Sequence, residues 1–395
     1  MPHRFDKDLP FTAAEYDRRL GKTRRAMEAA GIDLLYVTDP SNMGWLTGYD
    51  GWSFYVHQGV ILPGDGTPKW WGRNQDSNGA VRTVWMEDDH VLSYADHYVQ
   101  STVRHPMQDL AAHLRDSGAT RIGVEMDNYY FSAKAMEVLR TELPNVTFVD
   151  ATALVNRQRT VKSDEELTFM RRAARISDRI IDGLVERVEP GIPKNEIVAE
   201  IMRDQALGTD GHWGDYAAIV PLLPSGTDAA APHLTWDGRP FATGEATFFE
   251  ISGCYRRYHA PLSRTIFLGT PTDTILRAEA ALVEGLEAGL DAARAGNRAC
   301  DIAEALAGPL EAAGIRRSAR AGYPIGLSYP PDWGERTISI RAEDETVLEP
   351  GMTFHFMPGL WMDDWGLEIT ESILIRDTGP AETLCTQPRK LFVKP

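Results

Sequence analysis

An acid at the end of an apolar run is the clearest chemical signal in this chain. Glu250 closes ATFFE and opens the segment Glu250-Ile-Ser-Gly-Cys-Tyr-Arg-Arg-Tyr-His259-Ala-Pro-Leu-Ser-Arg264-Thr265, which reads as strand, turn, strand. A carboxylate projecting from a buried strand is desolvated and its pKa rises, which suits a general base or nucleophile near neutral pH. His259 lies across the same hairpin and is suited to shuttle a proton. The same residues allow a structural carboxylate instead, paired with Arg256, Arg257 or Arg264. A second acidic pair, Glu368 and Glu371, lies in GLEITESILI, just after Trp361 and Trp365. Strand alternation turns Glu368 and Thr370 to one face and Ile369 and Glu371 to the other. Two acids beside two indoles can hold an organic cation; the alternative is an edge strand with solvated acids.

Three other segments carry polar or aromatic groups. Asp215 precedes the strand-like run YAAIVP, and His233 sits in a loop between Pro232 and Leu234. A lone histidine of this kind is more often structural than catalytic. The stretch from Asn42 to Tyr55, with Trp45, Tyr49, Trp52 and Phe54 among glycines, reads as an aromatic loop. It would act as a lid over a small ligand or as an exposed binding surface. Residues 328–336 (SYPPDWGER) form a rigid turn with one indole and both charges, placed equally well for packing or function.

Composition narrows the class. A chain of 395 residues, 43% hydrophobic and 25% charged, is globular and long enough for about two to three domains. No apolar run approaches the roughly 18–20 residues of a membrane helix, and the polar start MPHRFDKDLP has no secretory core. Cys254, Cys300 and Cys385 are too few and too scattered for a disulfide scaffold or a metal knuckle. A net charge of −16 repels phosphate, so nucleic acid and anionic membrane are poor partners. The expectation is a soluble, cytoplasmic, multi-domain protein.

The elements that must position these residues fall into two patterns. Residues 11–31 read as an amphipathic helix and IDLLYVTD as a buried strand. The strands VILPG, VLSYAD and RIGVEMD then alternate with the helices MQDLAAHLRDSG and SAKAMEVLRTEL, as in a small α/β domain (residues 1–155). From residue 156 onward the order is helix, helix, strand, strand, twice over. The first helix opens with the capping box Ser163–Glu166. Helices near 193–206, 273–295 and 300–314 and the strands ATFFEISG, LSRTIFLG, MTFHFMPG and LEITESILI complete the pattern. Such a duplication folds as two half-sheets curving around one cleft.

Taken together, NMGWLTGY, RTVKSDEEL, PHL, FFEISG, LSRT, GYPIGL, LEPGMTFHFMPG and GLEITES resemble, in order and spacing, the creatinase/prolidase (pita-bread, M24-like) family along nearly the whole chain. The resemblance implies an α/β N-terminal domain, an α+β catalytic domain with a curved antiparallel sheet, and a homodimer in which the partner's N-terminal loop helps close the site. Metallopeptidases of the family hold two metals through two Asp, one His and two Glu. Glu250, Pro261, Tyr323, Met357 and Thr370 stand at those positions here, with Glu371 adjacent to the last. Pro, Met and Thr cannot build a hard-ligand dimetal cage, so the expectation is an enzyme with no metal and no cofactor. SNMGWLTGYDGWSFYVHQ, VEMDNYYFSA, PSGTDAAAPHLTWD, CYRRYHAPLSRT and SYPPDWGERT are similar to blocks of the ectoine hydrolases, which open the cyclic amidine of ectoine and 5-hydroxyectoine.

That resemblance implies roles. Glu250 would attack the amidine carbon or activate water, and His259 or His233 would deliver a proton. Glu368, Glu371 and Asp215 would hold the cation. Arg264 or Arg336 would pair with the substrate carboxylate, and Trp52, Tyr55, Tyr323, Trp361 and Trp365 would wall the pocket. The product would be N-acetyl-2,4-diaminobutyrate, which a partner deacetylase would consume. The rival readings are a metal-dependent Xaa-Pro peptidase and a catalytically inactive ligand-binding protein.

Overall fold

The computed structural model describes residues 7–395, which divide into two compact units on either side of the Arg159–Thr160 boundary. The first unit is a six-stranded mixed sheet with the order Val91–Tyr94, Lys69–Arg73, Gly59–Pro63, Leu34–Val37, Arg121–Val124, Thr147–Asp150. Leu34–Val37 pairs antiparallel with Gly59–Pro63 and parallel with Arg121–Val124. Helices Pro106–Asp116 and Ala133–Glu142 lay Leu110, Leu114 and Leu139 on Ile122 and Val124 of the sheet. The strand Lys69–Arg73 and the helix Asn74–Thr83 carry weak sequence patterns, yet Trp70 and Trp71 are fully buried there.

The Asn42–Tyr55 stretch corrects the loop expectation, because its first half is helical. Pro40–Thr47 forms a short helix whose Asp39 carboxylate caps the Ser41 N–H, with Pro40 in the first turn and Gly48 ending it at φ 79°. Only the part after Gly48 is a loop.

The second unit is built on a long hairpin. Ala246–Tyr255 pairs in full register with Tyr258–Leu268, every residue of both strands buried. Arg256 and Arg257 make its two-residue turn, both with positive φ (49° and 66°). A second sheet has the order Glu382–Thr383, Glu371–Leu374, Thr353–Phe356, Gly322–Pro324. The LEITESILI strand is split: Gly366–Glu368 pairs with Gly359–Trp361, and Glu371–Leu374 turns to pair with Thr353–Phe356. Helix Asp164–Arg187, closed at its start by the Ser163–Glu166 capping box, packs on the hairpin. Helices Asp273–Ala292 and Ala299–Ala312 cover the second sheet, with Leu286 and Leu306 packed into one core with Phe354, Phe356 and Ile373. Among the described residues no helix is long and apolar enough to cross a membrane.

Gly253 is where the helix meets the hairpin. A Cβ there would sit 2.1 Å from the Ala173 carbonyl oxygen and 2.6 Å from the Ser177 amide nitrogen, both backbone atoms of Asp164–Arg187. Gly253→Ala must push that helix away, so we expect a loss of about 1–3 kcal/mol of stability, read by urea denaturation. An unchanged midpoint would refute the close-packing argument.

Candidate active site

Backbone and side-chain hydrogen bonds join the hairpin to the segment 366–372. Ser263 N–H donates to Thr370 Oγ1 (2.7 Å), Thr370 N–H to the Ser263 carbonyl (3.1 Å), and Thr265 Oγ1 exchanges bonds with the Glu368 N–H and carbonyl (2.9 Å each). This joint brings together the two acids singled out by the sequence.

Glu250 faces Ser263 across the hairpin and is 5% exposed. Its carboxylate has no hydrogen-bond partner among the described residues, and its nearest basic atom is His355 Nδ1, 3.9 Å from Oε1. Burial, then the charges of Glu368 and Asp332, push its carboxyl well above the ordinary range. Glu368 is fully buried; the Trp361 indole donates to Oε1 at 2.7 Å, while Oε2 is bare. Burial lifts its carboxyl to about 7, opposed by the Ser263 hydroxyl, the Trp361 indole and the charge of Arg317. Ser263 Oγ is buried beside Glu368, near enough to favour its charged form though short of a well-formed hydrogen bond. The arrangement is a dry pair of carboxylates with unused acceptors, which a hydrogen-bonding cation would satisfy.

His355 was not anticipated. It lies on the strand Thr353–Phe356, directly across from Tyr323, with Nδ1 3.0 Å from the Tyr323 hydroxyl and Nε2 2.9 Å from Thr370 Oγ1. The Trp333 indole donates to the same Tyr323 oxygen at 2.8 Å. Burial lowers the imidazole to about 3, so it is neutral. The signal that would have found it is the one that found Glu250: an ionisable residue inside the apolar run TFHF.

The other predicted residues disperse. His259 is corrected from shuttle to anchor. Its Nε2 accepts the Ala218 N–H (2.9 Å), its Nδ1–H donates to the Arg257 carbonyl (2.9 Å), and burial holds it near 3. It shares a face with Glu250 but pairs with Cys254, four residues or about 13 Å along the strand. Asp215 sits at that distant end, accepting the Arg257 N–H at 3.1 Å, and does not join the acidic pair. Arg264 and Glu371 are corrected from substrate ligands to partners of each other. The guanidinium donates to Glu371 Oε1 (2.5 Å) and to the carbonyls of Ser263, Thr370, Gln387 and Pro388. All its donors are engaged. His233 and Arg336 are exposed. Trp361 reaches the site through Glu368, whereas Trp365 packs on the core. Trp52 and Tyr55, in the first unit, are 58% and 69% exposed.

The donor set does not fit a metal cage. Of the five positions, Glu250 alone offers a carboxylate. Pro261 and Met357 offer no hard ligand, and Tyr323 and Thr370 spend their hydroxyls on His355. Among the described residues no group of three or more His, Cys, Asp or Glu is placed to hold a metal ion. Removing one half of the buried Arg264–Glu371 pair leaves an uncompensated charge, so Arg264→Met should cost about 3–5 kcal/mol. Arg264→Met with Glu371→Leu should recover most of it. Additive losses in thermal or urea unfolding would show that the two do not act as a pair.

Comparison with known proteins agrees with this architecture. Residues 19–161 match the creatinase/prolidase N-terminal domain and residues 168–377 the metallopeptidase family M24. The chain is 57% identical over 399 residues to the ectoine hydrolase of Halomonas elongata, covering 98% of this chain and 99% of that one. It is 40% identical over 389 residues to an uncharacterised hydrolase/peptidase of Sinorhizobium fredii, covering 98% and 99%. A prolidase from Thermococcus sibiricus superposes with a TM-score of 0.82 at 18% identity, covering 97% of this chain and all of that one, a likeness of fold alone. With both domains matched in order and a relative of this identity along its whole length, the chain belongs to the creatinase/prolidase family, with an M24 catalytic domain.

Proposed function

We propose that this chain hydrolyses ectoine, and 5-hydroxyectoine with it, to N-acetyl-2,4-diaminobutyrate without a metal ion. The observation that carries the reading is the dry pair Glu250 and Glu368, in a chain 57% identical to an ectoine hydrolase. An amidinium is planar, singly charged and carries two N–H donors, so it answers two carboxylates that are costly to ionise alone. Glu250 acts on the central carbon, by direct attack or through a water, and both routes give a tetrahedral centre. On the water route one C–N bond then breaks as its nitrogen takes a proton, and the water oxygen remains as the acetyl carbonyl; on the direct route the same cleavage leaves the carbon bound to Glu250, and a water then adds, expels the carboxylate and supplies that oxygen. Burial of both acids favours one shared proton between them; with Glu250 ionised to act on the carbon, Glu368 holds that proton and is the donor we favour, since both nitrogens of His259 are already bonded. The exposed Trp52 and Tyr55 support a lid that a second copy of the chain completes, giving a homodimer. The acetamide product is a substrate for a deacetylase, and three free cysteines suit the reducing cytoplasm.

Purified protein mixed with ectoine should form the N-acetyl product, followed by NMR, and dialysis against EDTA should leave the rate unchanged. No product would refute the substrate; loss of activity on chelation, restored by iron, manganese or zinc, would refute metal independence. Glu250→Gln should lower kcat by about 10²–10⁴-fold, and near-normal turnover would remove Glu250 from the mechanism. Trp52→Ala should raise KM more than it lowers kcat, since a lid contributes equally to ground and transition states. An unchanged KM, or a fully active monomer by light scattering, would make the loop mere surface.

A further inference from the structure

Two hydroxyls compete for one imidazole. Tyr323 OH already accepts the Trp333 indole N–H, and Thr370 Oγ1 already accepts the Ser263 amide N–H; both donors are fixed, since neither can accept. Each hydroxyl must then place its own hydrogen, and among the described residues each has a single acceptor within reach, a nitrogen of His355. A neutral imidazole has one acceptor nitrogen, so one of the two hydrogens has no place to go. Thr370 is fully buried and has nothing else to bond, whereas Tyr323 keeps 6% of its surface and shares His355 Nδ1 with Glu250. A stranded hydrogen costs less on Tyr323, where a ligand or the Glu250 carboxylate can take it.

We propose that His355 is a positioning residue: Thr370 fixes it as the Nδ1–H tautomer, and it thereby turns the Tyr323 hydroxyl hydrogen away from itself and toward Glu250. Thr370 O–H donates to Nε2, and Nδ1–H donates to the Tyr323 oxygen, which then accepts twice and directs its hydrogen outward. Tyr323 thus aims a hydrogen toward the side where Glu250, 3.9 Å from the same ring nitrogen, has no hydrogen-bond partner of its own among the described residues. That hydrogen is placed to be accepted by Glu250 when substrate brings the carboxylate within hydrogen-bond reach. Two of the positions that hold metal in the family's peptidases, Tyr323 and Thr370, are the two ends of this device. The inference deepens the proposed ectoine hydrolysis and rests on it for its kinetic arm only.

Nitrogen NMR of protein carrying labelled histidine, assigned with His355→Gln, reads the tautomer without any turnover. The expected result is a protonated Nδ1 and a bare Nε2 from pH 6 to 8. A protonated Nε2, or a charged ring, overturns the proposal whether or not ectoine is the substrate. The kinetic arm is a double-mutant cycle on ectoine turnover. Tyr323→Phe and His355→Gln should each lower kcat by at least 10-fold with KM moved less than 3-fold, and the double variant should be no worse than the poorer single. Multiplying losses would mean that His355 does not act through Tyr323. A wild-type enzyme inert toward ectoine, with the expected tautomer, would sink the substrate assignment alone.

Discussion

The desolvation of two carboxylates in one place governs the second unit of this protein. An ionised acid removed from water costs several kcal/mol unless something answers it, and Glu250 and Glu368 each lack a full set of partners. Everything around them keeps water and competing cations out. The hairpin strands are buried on both faces, the neighbouring arginine is locked by Glu371 and four carbonyls, and the adjacent imidazole is neutral. Among the described residues Arg317 is the guanidinium whose charge still reaches Glu368, and its donors go to backbone carbonyls.

The same logic explains why family resemblance and family chemistry separate here. A dimetal centre neutralises clustered acids with fixed positive charge. In this chain Pro261, Met357, Tyr323 and Thr370 remove most of those acids, leaving Glu250 as the one acidic member of the five positions. The scaffold can still juxtapose residues from both halves of the duplicated unit, because the Ser263–Thr370 and Thr265–Glu368 bonds that join them do not involve a metal.

Much of the architecture was legible in the residues. Capping box, helical periodicity and apolar strand runs located the helices and strands of the second unit, since each of those signals is local. Glu250 and Glu368 were legible because an acid in an apolar run is conspicuous wherever it lies. What was not legible was pairing across distance. His259 looked like a shuttle because nothing local announces that the Ala218 amide will take its Nε2. Arg264 and Glu371 looked available for the same reason, although they lie 107 residues apart in the chain and touch in the fold. His355 gains its place only from Tyr323 and Thr370, 32 and 15 residues away, which no local pattern announces. The break at Ile369 also escaped periodicity, for it arises when one strand changes partners.

The turn between the hairpin strands has a consequence for how the site is assembled during folding. Arg256 and Arg257 occupy left-handed backbone conformations that glycine or asparagine would adopt at lower cost, so the turn is a poor nucleus by itself. It is held by Asp215, forty-two residues earlier, which accepts the Arg257 amide, and by the His259 ring and the Ser328 amide, which donate to the Arg257 carbonyl. A turn of this kind is not closed by its own sequence alone, since bringing Asp215 to it carries the closure entropy of the intervening loop. The burial of Glu250 is thereby tied to contacts made at the far end of the hairpin as well as to those beside it.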